Sequence, residues 1–432
     1  MLYTLALTGI ANCFLLVRIV PWVLVALVPL FLLINIFAGM FTVKSGALRL
    51  RLCNHGAVML HAFLNSTVLS VLFHFILWLF HICRGWQFFG SAALCFAVEA
   101  IIFWNGMLCV YFASTQLGIK LRVVAVLCGM IPLVNLLVLR RMLRVLGEEV
   151  RFESEKERCN LERRDMHICA TKYPLLLVHG VFFRDSSIFN YWGRIPKELE
   201  RNGAVVYYGM QPSAASVADC AEELFKRIRA IVEETGCEKV NIIAHSKGGL
   251  DCRYAVSKLN AAPYVASLTT VNTPHRGCEF AEYLLNRAPE ELKNEVTNAY
   301  NSTLRKIGEP NPDFMAAVTD LTASVCTQLD RDLGIPEGVF CQSLGSVLKK
   351  PSGGKFPLNL SYYLVNYFDG PNDGLVSVDS FGWGEKYMLL ETEGTDGISH
   401  GDIIDLGRLN KPEFDVREFY VRLVADLKNR GL

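Results

Sequence analysis

One stretch of the chain places a hydroxyl where chemistry can be done with it. Val240-Asn241-Ile242-Ile243 reads as a buried strand, and it runs through Ala244-His245 into Ser246-Lys247-Gly248-Gly249 and a helical segment. A strand that turns abruptly into a helix needs small residues two positions either side of its apex, because larger side chains collide there; Ala244 and Gly248 meet that need. The turn lifts the Ser246 hydroxyl clear of the sheet, so nucleophilic catalysis is the chemistry predicted, with a helix-capping serine as the plainer alternative. A serine alcohol needs a base, and behind a nucleophile on such a turn the acid and then the histidine follow in chain order. Two histidines follow Ser246. His275, in Thr273-Pro274-His275-Arg276-Gly277, stands directly after a predicted strand and leaves too little chain for an intervening acid, so it reads as structural. His400, in Gly397-Ile398-Ser399-His400-Gly401-Asp402, is then the base by elimination. The acid belongs between them on a loop after a strand. Ser361–Phe368 reads as a strand, and Asp373, in Asn372-Asp373-Gly374, is the best candidate because Gly374 permits a tight turn; Asp369, Asp379 and Asp396 are its rivals. Its task would be to hold the imidazole in one tautomer and to stabilise imidazolium.

The oxyanion that develops during acyl transfer needs preorganised N–H donors. The backbone of Lys247, next after the nucleophile, is one. The other is expected in the loop His179-Gly180-Val181-Phe182, with the Val181 amide as first choice and Phe182 as second. Gly180 lets that backbone come close, and His179 and His245 read as hydrogen-bonding neighbours rather than as bases.

The elements that must carry these groups alternate. Leu175–Val178, 204–208, 239–243 and Val265–Val271 read as strands; 185–202 contains an amphipathic helix, and 216–235 and 249–259 read as helices. Strands alternating with helices of this length imply a mostly parallel sheet with helices on both faces, so the fold class is α/β. In such sheets ligands bind beyond the carboxyl ends of the strands, where the residues above lie.

The set LLLVHG, YWGRIPKELERNGAVVYY, AHSKGGLDCRY, VNTPHRG, NDGLVS and SHGD resembles the bacterial triacylglycerol lipases of the α/β-hydrolase fold, in order from about 173 to 430. The resemblance implies Ser246 as nucleophile, Asp373 as acid and His400 as base. It also implies a helical cap over the site, here about 278–345, where EFAEYLLNRA and FMAAVTDLTASV have helical spacing. Lipases of this group often hold calcium through an acid two residues after the catalytic histidine, the position of Asp402. No carboxylate for a second ligand lies in 355–368, so no metal or other cofactor is expected, and Asp402 is left as a loop-ordering acid.

The resemblance says nothing of residues 1–172. At 432 residues the chain exceeds one comfortable core, so two units are expected. With 52% hydrophobic and 20% charged residues, it is neither a disordered chain nor a nucleic-acid-binding tail. Residues 1–146 carry ten Lys/Arg and one acid, Glu99, for a net +9; the other 33 Lys/Arg and 41 acids give 147–432 a net −8. Apolar runs over 2–17, 19–42, 57–82, 88–114 and 122–139 predict an all-α membrane region of four or five spans. Glu99 lies mid-span and is expected to meet a partner: a helix-packing bond to His61, His74 or Asn105, or a lipid or ion. Basic residues flank both sides equally and leave the orientation undecided. The scattered cysteines, eight of 14 after residue 147, favour a reducing compartment and hence the cytoplasmic face. The division expected is 1–146 membrane region, 147–172 charged helical linker, and 173–432 lipase-like domain.

These residues together predict a membrane-bound carboxylester hydrolase whose substrates are lipid acyl esters in the bilayer. The alternatives are an acyltransferase or phospholipase using the same three residues, or an inert membrane scaffold. No GxGxxG or P-loop is present, so no nucleotide cofactor is implied, and no nucleic-acid partner.

Overall fold

Helix breakers cut the apolar N-terminal third into segments of unequal length. The computed structural model describes residues 2–82, 85–129, 131, 133–181, 190–306, 308–309 and 311–432, and divides into two units, Met1–Glu162 and Arg163–Leu432. The first holds α1 (Leu2–Ala11), α2 (Phe14–Ile19), α3 (Leu24–Phe37), α4 (Leu48–Leu79), α5 (Trp86–Ala113), α6 (Gly118–Cys128) and α7 (Val134–Glu162). The apolar runs expected to span do not all emerge as single long helices. Among the described residues only α4 and α5, with 32 and 28 residues, are long and apolar enough to cross a bilayer alone. The run 2–17 is split at Asn12-Cys13. The run 19–42 opens on a short turn at Pro21–Val23. The run 122–139 breaks between α6 and α7, where Gly129 ends the helix; Pro132, in the same break, lies outside the described residues.

α4 and α5 pack closely because glycines face each other. A Cβ on Gly56 would stand 2.8 Å from the carbonyl oxygen of Gly106, and one on Gly106 would stand 2.9 Å from Leu60 Cγ; small residues are what lets two backbones approach in this way. α7 is tied to them by the buried Glu149, which accepts from Arg49 Nη1 at 2.6 Å, Ser114 Oγ at 2.6 Å and the Thr115 amide at 3.0 Å. A buried carboxylate is tolerated only when its oxygens are so occupied.

The second unit is built on six parallel strands in the order β2-β1-β3-β4-β5-β6: β1 (Leu175–Val178), β2 (Val206–Tyr208), β3 (Val240–His245), β4 (Val265–Val271), β5 (Phe340–Ser346) and β6 (Lys386–Leu390). Its helices are α8 (Ile195–Arg201), α9 (Val217–Thr235), α10 (Lys247–Lys258), α11 (Glu279–Arg287), α12 (Glu290–Lys306), α13 (Phe314–Thr319), α14 (Ala323–Asp332), α15 (Leu358–Phe368) and α16 (Val416–Asn429). Successive strand side chains point to opposite faces. Leu175 and Leu177 pack with Trp192, Ile195 of α8 and Val421 of α16. Leu176 and Val178 pack with Leu224 of α9 and Cys252 of α10. Both faces of the sheet are covered, which is the α/β-hydrolase arrangement.

Two sequence expectations fail. Ser361–Phe368 is not a strand but most of α15: Val365 is fully buried while Tyr363 and Tyr367 stand out, a one-sided pattern that its aromatic composition conceals. The strands the sequence does not reveal are β5, most of which falls within the expected cap of 278–345, and β6; β5 is the instructive one. Its Phe-Cys-Gln-Ser-Leu-Gly-Ser sequence lacks an apolar run, because its buried polar groups are paired across the sheet. Gln342 Nε2 donates to Thr269 Oγ1 at 2.9 Å and Ser343 Oγ to the Trp383 carbonyl at 2.7 Å.

Candidate active site

Ser246 stands between β3 and α10 at φ 55°, ψ −133°. A non-glycine residue there costs about 1–3 kcal/mol and persists only where its surroundings hold it. Its amide donates to the Val271 carbonyl at 2.9 Å, so β4 anchors the turn. The need for small neighbours is sharper than the sequence implied. A Cβ on Gly248 would stand 2.3 Å from the His179 carbonyl oxygen, and one on Gly249 would stand 2.1 Å from Thr273 Oγ1. The loop after β1 presses as closely: a Cβ on Gly180 would lie 2.8 Å from Ser246 Cβ. Val181 follows in that loop and is buried, whereas Phe182, the second choice for an oxyanion donor, lies outside the described residues. Lys247 opens α10, so its N–H belongs to the helix's first turn, which has no intrahelical acceptor.

Asp373 and His400 meet although 27 residues separate them. His400 Nδ1 lies 2.6 Å from Asp373 Oδ2, and the His400 amide donates to the Asp373 carbonyl at 2.9 Å. The carboxylate, wholly buried, is held by further donors: the Leu375 and Val376 amides reach Oδ1 at 2.9 and 2.8 Å, and Asn272 Nδ2 reaches Oδ2 at 2.6 Å. Asp373 does follow a strand, but that strand is β5. The chain leaves β5, inserts α15 and returns, where the Leu348 amide donates to the Asn272-facing turn through the Asn372 carbonyl at 2.9 Å. The rivals are occupied elsewhere. Asp369 accepts from the first amides of α11 at 2.9 and 3.3 Å, and Asp396 pairs with Lys350 at 2.7 Å; among the described residues no hydrogen bond joins Asp379 to His400.

The serine turn lies near this pair through the residue before the serine: the ring centroids of His245 and His400 are 4.5 Å apart. Among the described residues no hydrogen bond joins Ser246 Oγ to His400, a bond that in unliganded sites is often long and tightens on substrate. His245 Nδ1 is 2.7 Å from the Tyr191 hydroxyl; burial first, and His400 second, hold its pKa well below the ordinary histidine value, so it stays neutral. His179 is buried, with Nδ1 2.8 Å from the Gly180 carbonyl and Nε2 3.1 Å from that of Gln211. His275 is likewise buried, between Arg253 Nη1 at 2.9 Å and Thr270 Oγ1 at 3.0 Å. Burial, then Arg253, push its pKa well down.

Two groups escaped sequence reading. Asn272 lies inside VNTPHRG, and its role appears only where it meets Asp373. Lys247 and Asp251 form a buried ion pair at 2.7 Å behind the serine turn; their i,i+4 spacing at the start of a helix was the available signal. Burial raises the Asp251 pKa to about 6 against the pull of Lys247.

The residues near Asp402 do not fit calcium. Its carboxylate accepts from the Ser399 amide at 3.0 Å and Ser399 Oγ at 2.6 Å, and it pairs with the ammonium of Lys411, a cation where a metal would need another acid. Among the described residues no group of three His, Cys, Asp or Glu side chains is arranged to hold a metal.

No protein-family profile matches the chain, but curated relatives do. It is 34% identical over 176 residues to triacylglycerol lipases of Pseudarthrobacter phenanthrenivorans (38% of this chain, 54% of that one) and Burkholderia plantarii (38% and 48%). It is 28% identical over 290 residues to one of Vibrio cholerae (61% and 89%). The chain thus spans about half the length of the first two relatives. Similar solved structures include Bacillus licheniformis lipase BlEst2 in mature form, with 23% identity, TM-score 0.44 and coverage of 59% of this chain and 92% of that one. Staphylococcus hyicus lipase has 17% identity, TM-score 0.48 and coverage of 60% and 97%. The fold assignment rests on the sheet order described above.

Proposed function

We propose, from the premise that the second unit is a triacylglycerol-lipase relative with the α/β-hydrolase fold, that this chain is a membrane-bound serine hydrolase cleaving acyl esters of lipids. The observation that carries the reading is the buried His400–Asp373 hydrogen bond of 2.6 Å beside a serine on a strained strand-to-helix turn. Ser246 Oγ attacks the ester carbonyl carbon while His400 takes its proton. Asp373, held by four donors, keeps the imidazole in one tautomer and stabilises it when charged. The Val181 and Lys247 amides receive the oxyanion. Collapse gives the proton to the leaving alcohol and leaves an acyl-Ser246; a water deprotonated by the same histidine then releases fatty acid.

Membrane attachment is supported by α4 and α5, whose most apolar windows are only 22% and 33% buried by the rest of the protein. Apolar faces left so open call for cover by lipid. The two helices cross as a hairpin, with the second unit on the cytoplasmic face, where free thiols persist.

The test is hydrolysis of a panel of mono-, di- and triacylglycerols and phospholipids by the purified full chain, read by mass spectrometry. Ser246→Ala should lose turnover by about 10⁶-fold and lose labelling by a fluorophosphonate. Wild-type turnover in that variant would refute the assignment, and acylated acceptor in place of free acid would make the enzyme a transferase.

A further inference from the structure

The first unit contains a cavity of about 520 Å³ between α4 and α5, within the size range of small-molecule sites. Its walls are mostly apolar. Its rim carries Val71, Phe96 and Trp104, which are 63%, 77% and 60% exposed, so it opens sideways where α4 and α5 would face lipid. Its lining also includes Glu99, 6% exposed, with Thr67, Ser70 and His74.

The carboxylate is unevenly satisfied. Oε1 accepts from Ser66 Oγ at 2.5 Å, with Ser70 Oγ at 3.5 Å; among the described residues Oε2 has only Thr67 Oγ1 at 3.4 Å, beyond the 2.5–3.0 Å of a good O–H···O bond. The polar neighbours are engaged elsewhere. His74 has Nδ1 2.9 Å from the Ser70 carbonyl and Nε2 3.1 Å from Ser91 Oγ, and Ser70 Oγ receives Asn12 Nδ2 at 2.8 Å. Among the described residues Asn105 bonds Asn35 instead, and no hydrogen bond joins Glu99 to His61. One acceptor therefore remains open in an apolar cavity, a costly arrangement unless a ligand supplies a donor.

We propose that this cavity binds a long-chain neutral lipid with a hydroxyl head, the chain lying along Phe96 and Trp104 and the hydroxyl donating to Glu99 Oε2. A hydroxyl brings one donor for one open acceptor. An ammonium brings three, two of which would be stranded among apolar walls. A fatty acid or phospholipid brings a second negative charge to Glu99. The inference rests on the membrane reading of α4 and α5 and is independent of Ser246.

The test reconstitutes the full chain in phosphatidylcholine vesicles with a long-chain primary alcohol bearing a chain diazirine, whose single hydroxyl matches the one open acceptor and which has no ester to cleave. Alkaline carbonate extraction is run in parallel: release of the chain would overturn membrane insertion, separately from the site. In the retained chain, photolabel should concentrate on peptides spanning 63–104 and be displaced by unlabelled long-chain alcohol. It should fall about fivefold in Glu99→Gln, the equivalent of one hydrogen bond, and further in Ala100→Trp, which fills the cavity. Retention of the Ala100→Trp chain through carbonate extraction, with wild-type resistance of its first unit to limited proteolysis, checks that this unit is folded. Label spread evenly over the apolar helices, or unchanged in both variants, would overturn the site, and stronger displacement by an alkylamine would overturn the hydroxyl head.

Discussion

Each unit of this protein buries a carboxylate, and the two are solvated in opposite ways. Asp373 is held by the amides of Leu375 and Val376, the amide group of Asn272 and the ring of His400, all at 2.6–2.9 Å. Those donors are N–H groups held by the backbone, by a ring or, for Asn272, by a second bond from Nδ2 to Ser346 Oγ at 2.7 Å. Glu99 is held by hydroxyls, one at 2.5 Å and two at 3.4–3.5 Å, and hydroxyls rotate to suit a partner. Fixed dipoles stabilise charge without reorganising when it develops, which is what catalysis needs. Rotatable ones leave room for an incoming donor, which is what binding needs. Burial is common to both acids; the rigidity of the donors separates their uses.

The comparison breaks first at Asp373. Asp373→Asn should cut ester turnover by about 10⁴-fold, since an amide cannot hold the same histidine tautomer; activity within tenfold of wild type would mean that the fixed donors serve folding alone. Asp251 supplies an intermediate case, a buried acid met by a cation. Asp251→Asn strands the Lys247 ammonium and should destabilise the second unit by about 3–5 kcal/mol, read by urea unfolding. Removing one fixed donor sharpens the contrast further. Asn272→Ala should lower turnover by about 10–100-fold, the worth of one hydrogen bond to a charged group, with substrate KM little changed; an effect on KM alone would assign Asn272 to binding.

The smallest effect is one of pH. His245 and His275 are held neutral by burial, so below about pH 6.5 the unfolded chain binds two protons that the folded unit refuses. Their contribution is present above that pH and is lost as pH falls. Asp251, raised to about 6, works the other way, taking a proton in the folded unit before the unfolded chain does at about 3.9. The histidines outnumber it. Stability should therefore fall by roughly 1.4 kcal/mol per pH unit between pH 6 and 5, read as the thermal midpoint of Trp192 and Trp383 fluorescence. A flat midpoint would place charged histidines in the core.

What could be read along the chain follows from how local the physical cause is. β1 and β4 were legible to the residue: β1 is an unbroken apolar run, as strands buried on both faces of a parallel sheet tend to be, and β4, VASLTTV, is rich in the β-branched residues that strands favour. β5 and α15 were not: polar groups paired across the sheet hide a strand, and a helix of aromatic residues imitates one. The turn at Ser246 was legible because its steric demand is written in Ala244 and Gly248; chain order pointed to His400, and Gly374 favoured Asp373 among four acids. The helix lengths in the first unit were not legible because hydropathy ignores where Asn12, Pro21 and Gly129 interrupt a helix.

Residue types and their order determined which side chains were candidates for chemistry, since nucleophile, base and acid must each be a particular functional group. Folding decided the rest: that Asn272 meets Asp373 from 101 residues away, that Lys411 stands beside Asp402, and that Glu99 keeps an open oxygen in a cavity. Such contacts depend on distances between remote segments, and no local preference of the chain encodes them.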